Sequence, residues 1–325
     1  MDEALEAWLR VAAGDPGLTI TGRARLSGGA IQQNFALDVV HRGAPASWVL
    51  RTDSTATLAV SHGRAQEFAL LRAAQAACVT VAEPLFLCAD ARVIGAPFFV
   101  MRRVAGTAAG HRVVKQFGGQ PDLVRAIGAE MARIHTIRPP RADLAFLGAP
   151  PPDAGRAMIA TLRARIDAAG TPRPVLEWGL RAAERACPPP VPPVLAHHDF
   201  RTGNLMIDAG RVTAVLDWEF AGWGDPAADL GWFCARCWRF GQAAEAGGLG
   251  ARADLHAGYV AAGGVLPDAA RIAWWELLAH LRWAVIAADQ AARHLSGQER
   301  SLELALTGHL LPGLEMEILS MAERL

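Results

Sequence analysis

Short alternations of apolar and polar residues dominate the first hundred positions. TITGRARLS, NFALDVV, SWVLRT, EPLFLCA and PFFVMRRV are β-rich or apolar runs separated by Gly, Pro, Asp and Ser, the signature of strands joined by turns. One helical pattern interrupts them: SHGRAQEFALLRAAQAA, 61–77, opens on a serine suited to capping and sets Leu70, Leu71 and Ala74 at helical spacing. After Gly106 the period changes. PDLVRAIGAEMARIHTI reads as a helix ending at Arg138-Pro139-Pro140, and Pro-rich breaks at 149–152 and 188–193 bracket a helical block at 154–186. LMID and VTAVLDW then form two strand-like runs around Asp208-Ala209-Gly210, a hairpin signal. Beyond Gly224, helices are expected over roughly 226–245, 250–262, 267–294 and 298–324. The pattern predicts an α+β protein with a β-rich N-terminal lobe, 1–105, and a mostly α-helical C-terminal lobe, 106–325.

Composition narrows the function. The 325 residues suffice for two lobes, and 32 basic against 32 acidic side chains leave a formal net charge of zero with no block of like charge. No nucleic-acid partner is expected from that balance; the default partner is a small molecule. The start, MDEALEAWLR, is acidic and lacks the basic-then-apolar order of a signal peptide, and the late apolar run AWWELLAHLRWAVIAA is interrupted by Glu276, His280 and Arg282. A soluble cytoplasmic protein that makes no use of a membrane is expected. Five scattered cysteines argue against a secreted disulfide framework, and Cys234-Ala-Arg-Cys237 has no second pair with which to build a zinc site. Lys115 is the only lysine. The pattern leaves the oligomeric state open.

The chemistry concentrates in AHHDFRTGNLMIDAGRVTAVLDWE, 196–219, which gathers His197, Asp199, Asn204, Asp217 and Glu219 in one short segment. A hairpin returns Asp217 towards Asn204, where a carboxylate and a carboxamide oxygen could share a hard cation such as Mg²⁺, leaving Asp199 as a base. The segment resembles the kinase-like phosphotransferases of the aminoglycoside phosphotransferase superfamily. Their H-x-D-x-x-x-x-N loop stands as His197 to Asn204, their apolar-D-W/F-E motif as Leu216-Asp217-Trp218-Glu219, and their G-D-P-x-x-D-L signature as Gly224 to Leu230.

The resemblance implies a two-lobed protein-kinase-like fold that binds ATP and Mg²⁺ and phosphorylates a small-molecule hydroxyl. Asp199 would accept or orient the hydroxyl proton, Arg201 would reach the transferring phosphoryl group, and Asn204 and Asp217 would hold Mg²⁺. His197 and Asp229 would buttress the loop. In the N-terminal lobe, Ser27, Gly28 and Gly29 lie between two predicted strands where backbone N–H groups could approach phosphate. Met101 and Arg103 belong to the stretch 101–104 expected to take up adenine. The family's phosphate-binding lysine on the third strand is Arg51 here, a departure that keeps the charge but not the shape. Glu67, sixteen residues on, matches that cation's partner carboxylate.

Few clustered acids stand on the late helices, so a neutral or anionic acceptor is expected rather than a polycationic antibiotic. WVLR, EFALLRAA and PFFVMRRVAG resemble the branch related to kinase domains fused to acyl-CoA dehydrogenases, which implies a hydroxyacyl thioester. Arg51 also motivates an alternative, a catalytically weak kinase-like protein that holds nucleotide or metabolite. A metal-dependent hydrolase built on Asp199 and Asp217 is a third reading.

Overall fold

In a computed structural model that describes residues 2–26, 32–53 and 61–325, the chain divides into two units. The first comprises Met1–Ala108, Pro140–Gly148 and Asn204–Ala221; the second comprises Ala109–Pro139, Ala149–Gly203 and Gly222–Leu325. The strand-like runs of the first hundred residues pair into an antiparallel sheet of β1 (Thr19–Arg25), β2 (Gln32–His41), β3 (Ala44–Asp53), β4 (Pro84–Cys88) and β5 (Phe98–Arg102), ordered β1-β2-β3-β5-β4. Strand periodicity sends alternate residues of the central β3 to opposite faces. Trp48 and Leu50 join a core with Leu5 and Leu9 of α1 (Asp2–Ala12), Leu37 and Val39 of β2, and Phe98 and Val100 of β5. Arg51 goes the other way, towards α2 (Arg64–Ala76), on the side where Phe68 meets Phe99 at 5.9 Å between ring centroids.

The α2 helix starts two residues later than the Ser61 reading implied, because Gly63 rather than Ser61 is its cap, with its N–H bound to Gln66 Oε1 at 3.0 Å. In the same unit, β7 (Leu205–Asp208) and β8 (Arg211–Val215) form the expected hairpin. Thr107 N and O pair with Ile207, and Val215 N–H donates to Thr80 O at 2.7 Å, fastening the hairpin to the rest of the unit.

The second unit is helical: α3 (Gly110–Phe117), α4 (Pro121–Ile134), α5 (Ala154–Ala169), α6 (Pro174–Arg185), α7 (Pro226–Cys234), α8 (Arg252–Ala261), α9 (Ala269–Leu295), α10 (Leu302–Gly308) and α11 (Leu311–Ala322), with a small ladder of β6 (Val194–Ala196) and β9 (Gly222–Gly224). The long α9 is the spine, packed by α5, α6, α7, α10 and α11, and it buries Ile272, Trp274, Leu277, Leu278 and Leu281. α4 and α8 cross through paired glycines: a Cβ on Gly128 would stand 2.1 Å from Leu255 O, and one on Gly258 would stand 1.9 Å from Arg125 O. Three expected helices are shorter or divided. The helix read over 226–245 stops at Cys234, since Ala235 turns extended (ψ 137) and brings Trp238 back against Trp232. Gly170, left-handed at φ 63, ends α5, and Pro312 at the start of α11 divides the last block. Among the described residues no helix is long and apolar enough to cross a membrane. All five cysteines are free thiols, and burial pushes that of Cys234 up to about 12.

Candidate functional site

In the first unit, four of the residues singled out by sequence come together. Arg51 donates through Nε to Glu67 Oε2 at 3.0 Å, and its Nη2 lies 2.9 Å from Glu67 Oε1 and 2.7 Å from Asp217 Oδ1. The planar fork thus spans two carboxylates at once, which a lysine's single nitrogen does less readily. Burial alone would depress the Arg51 guanidinium, but Glu67, Asp217 and Glu219 hold it above its ordinary value. Asp217 adopts a left-handed conformation (φ 66, ψ 64), an uncommon one for a residue with a side chain. Asn204 is buried, and its carbonyl accepts from Leu216 N–H at 2.8 Å, so the open end of the hairpin sets Asn204 beside the 216–217 step.

An amide oxygen and a carboxylate are hard donors suited to Mg²⁺. Arg51 takes only Oδ1 of Asp217; no hydrogen bond from a described residue reaches Oδ2. Glu219, beside Asp217, is pushed up to about 7, first by burial and then by the Asp217 charge.

Arg64 was missed by the sequence reading. Its side chain is fully buried, pairs with Glu67 through Nη1 and donates through Nη2 to His62 O at 3.1 Å. Its Nε lies 2.9 Å from Asp53 Oδ1, an ion pair without hydrogen-bond alignment. The signal was present as an arginine three residues before Glu67 on the predicted helix, a spacing at which side chains meet.

In the second unit, Asp229 organises the segment before Asp199. Its Oδ2 accepts from His197 N–H at 2.7 Å and its Oδ1 from His198 N–H at 2.8 Å, and His135 Nε2 lies 3.2 Å from Oδ2. Burial pushes the Asp229 carboxyl up, but the His135 hydrogen bond and the surrounding histidines hold it down at about 2. His135 is in turn held through Nδ1 by the chain's sole tyrosine, Tyr259, at 2.8 Å. His197 Nδ1 accepts from Asp199 N–H at 3.2 Å, and His198 takes a left-handed φ of 60. Asp225 caps α7 by accepting from Ala227 N–H at 2.8 Å, with Pro226 at the first helical position, where its missing N–H costs nothing.

Asp199 itself is buried. Arg201 Nε lies 3.2 and 3.3 Å from its two oxygens, and Trp232 Nε1 donates to Oδ1 at 3.0 Å. Arg201, read from the sequence as reaching the transferring phosphoryl group, rests here on the Asp199 carboxylate, with its guanidinium carbon 5.0 Å from the Trp238 ring centre. The role of Trp232 was not legible, because its partner lies 33 residues away.

Two of the remaining candidates stand at the end of β5, the strand paired with the one that carries Arg51. Met101 is on β5, paired across to Val49 of β3 and Pro84 of β4, and is half-buried. Arg103 follows β5 with its side chain exposed and its N–H committed to Ser47 O at 3.0 Å. Ser27, Gly28 and Gly29 lie outside the described residues.

Residues 23–293 match the Phosphotransferase enzyme family. The mouse (Mus musculus) protein Acyl-CoA dehydrogenase family member 10 is 31% identical over 194 residues, covering 57% of this chain and 18% of that one. The chicken (Gallus gallus) Acyl-CoA dehydrogenase family member 11 is 31% identical over 179 residues, covering 52% and 22%. The matched part of this chain therefore spans about a fifth of each relative. Among solved structures, a Ralstonia eutropha JMP134 protein provisionally described as an aminoglycoside phosphotransferase superposes with a TM-score of 0.77 at 22% identity over 99% of this chain and 98% of that one. A thermostable variant of the aminoglycoside phosphotransferase APH(4)-Ia, in ternary complex with AMP-PNP and hygromycin B, gives 0.62 at 17% identity over 98% of both chains. The fold is that of the kinase-like phosphotransferases.

Proposed function

Because the chain belongs to the Phosphotransferase enzyme family, we propose that it transfers the γ-phosphoryl group of ATP, with Mg²⁺, to a hydroxyl of a small molecule. The observation that carries this reading is the Arg51 fork joining Glu67 to Asp217, since it ties the cation expected at the phosphates to the carboxylate expected at the metal. In this reading Arg51 grips the α- and β-phosphates through N–H groups not spent on Glu67, and Ser27, Gly28 and Gly29 offer backbone N–H groups. Residues 101–104, with Met101 and Arg103, receive adenine. The lobe 1–105 supplies the nucleotide contacts, and 106–325 supplies the catalytic and acceptor contacts.

Asn204 and Asp217 hold Mg²⁺, which when bound neutralises charge on the phosphate oxygens. Asp199 accepts or orients the proton of the attacking hydroxyl, and Arg201 faces the phosphoryl group. The hydroxyl oxygen bonds to the γ-phosphorus as the bond to the bridging β–γ oxygen breaks; ADP leaves, and the proton passes through Asp199 to water. The ternary complex of APH(4)-Ia with AMP-PNP supports a nucleotide donor. The names of the mouse and chicken relatives favour a hydroxyacyl thioester as acceptor, and the scarcity of clustered acids on the late helices argues against a polycation. Free thiols and the use of ATP suit a cytoplasmic setting.

The test is a metabolite-pool screen with radiolabelled ATP. A hydroxyl compound that gains label only with Mg²⁺ is the expected result. ATP binding with no ADP formed against any pool would leave a nucleotide-holding protein instead, and hydrolysis that needs no nucleotide would leave a metal-dependent hydrolase.

A further inference from the structure

We propose that Trp232, braced by Arg282, is a positioning residue that holds Asp199 in its working orientation. This rests on the reading of Asp199 given above, and it assigns a task to a side chain that no motif marks. Trp232 stands on α7, three residues after Asp229, and is 4% exposed. Its indole N–H donates to Asp199 Oδ1 at 3.0 Å in a buried contact. An indole nitrogen only donates, so it can orient a carboxylate without competing for the proton that the carboxylate must take.

The indole is itself held. The Arg282 guanidinium carbon lies 4.5 Å from the Trp232 ring centre, and Arg282 Nη1 donates to the carbonyl of His198, the residue before Asp199. One arginine therefore grips both the backbone entering Asp199 and the ring that hydrogen-bonds its side chain. Stacking on an aromatic face suits a planar guanidinium in a poorly hydrated place. Burial pushes the Arg282 guanidinium below its ordinary value, while the charges of Asp199 and Asp229 oppose that shift.

A neighbour supplies the control. Trp238 lies 5.1 Å from Trp232 and 4.6 Å from Trp283 between ring centroids, is 7% exposed, and carries an arginine, Arg201, over its ring. Its indole N–H has no hydrogen-bond acceptor among the described residues. The two tryptophans share packing and cation contact and differ in the bond to Asp199, so replacing each by phenylalanine separates orientation from packing.

The experiment compares Trp232→Phe, Trp238→Phe, Asp199→Asn and the Trp232→Phe/Asp199→Asn double variant, using the acceptor identified by the screen. Hydrogen bonds to charged groups are among the stronger ones, so Trp232→Phe should lower kcat about ten- to hundredfold, with KM for ATP within about twofold of the parent. Trp238→Phe should stay within a few-fold. Because Trp232 acts through Asp199, the double variant should be no slower than Asp199→Asn alone. Losses that multiply would overturn the Trp232 assignment while leaving the catalytic role of Asp199 standing. If Asp199→Asn itself transfers phosphate within a few-fold of the parent, the reading of Asp199 fails and takes this inference with it. A second measurement needs no acceptor: the indole ¹⁵N–H resonance that disappears in Trp232→Phe should move in Asp199→Ala, and an unmoved resonance would refute the bond.

Discussion

Glu67 carries two guanidinium groups, and its neutralisation is the most informative stability test. Its side chain is 2% exposed and meets Arg51 through both oxygens and Arg64 through Oε2. Glu67→Gln keeps the shape but removes the charge, and turns an amide NH₂ towards guanidinium N–H groups that cannot accept from it. Breaking a buried ion pair by losing one partner costs about 3–5 kcal/mol. Here Arg51 retains Asp217 and Arg64 retains Asp53, with side chains 30% and 25% exposed, so the lower end, about 3 kcal/mol, is expected. For a domain of this size each kcal/mol shifts the melting point by roughly 2–4 °C, which gives a fall of about 10 °C. Glu67 belongs to the first of two compact units, so the change should be read there, by amide hydrogen exchange along β3 and α2 together with calorimetry. A melting point within about 2 °C of the parent, with unchanged exchange in β3, would show that water rather than Glu67 solvates these arginines, and the Arg51 fork would lose its anchor.

Three further outcomes follow from the same geometry. Arg51→Ala should weaken ATP binding markedly by calorimetry whereas Arg51→Lys retains it, because lysine keeps the charge at the phosphates; parental affinity in Arg51→Ala would place the phosphates elsewhere. ATP with Mg²⁺ should raise the melting point by mass action, and Asp217→Ala should abolish the metal-dependent part of that shift, so an undiminished shift would remove Asp217 from the metal site. His198 is pushed down to about 4 from 6.5, first by burial. Its contribution is therefore present above pH 6.5 and is lost as pH falls towards 4, at most about 3 kcal/mol for this half-buried ring, and His198→Gln should flatten that stretch of the stability–pH curve.

What could be read from sequence depended on whether a residue's reason lies near it in the chain. The strands were legible because period-two alternation is local, and the helical pattern beyond Gly224 set the start of α7 near 226, where the structure has Pro226 as its first residue. The hairpin was legible from its own turn residues, and at its open end the Asn204 carbonyl accepts from Leu216 N–H. The early end of α7 was not legible: Ala235 leaves the helix without a glycine or proline, and the turn is accompanied by Trp238 packing back on Trp232. Nor was the support of the Asp199 loop by His135 and Tyr259, which meet across 124 residues although each reads as an ordinary member of its helix.

The tryptophans show where residue type stops informing. Trp232 and Trp238 stand six apart in a segment whose periodicity says only that both are buried, and burial is what both show. Yet one indole N–H ends on Asp199 and the other on no acceptor among the described residues. That difference arises because α7 runs on from Asp229, whose carboxylate binds the two backbone N–H groups preceding Asp199. Asp229 and Trp232 are three residues apart, close to one turn, so the helix that fixes the loop also brings an indole to the loop's carboxylate. The motif residue Asp229 thus sets the place from which Trp232 acts, and a variant that shifts α7 by a fraction of a turn should disturb Asp199 even with every motif residue intact.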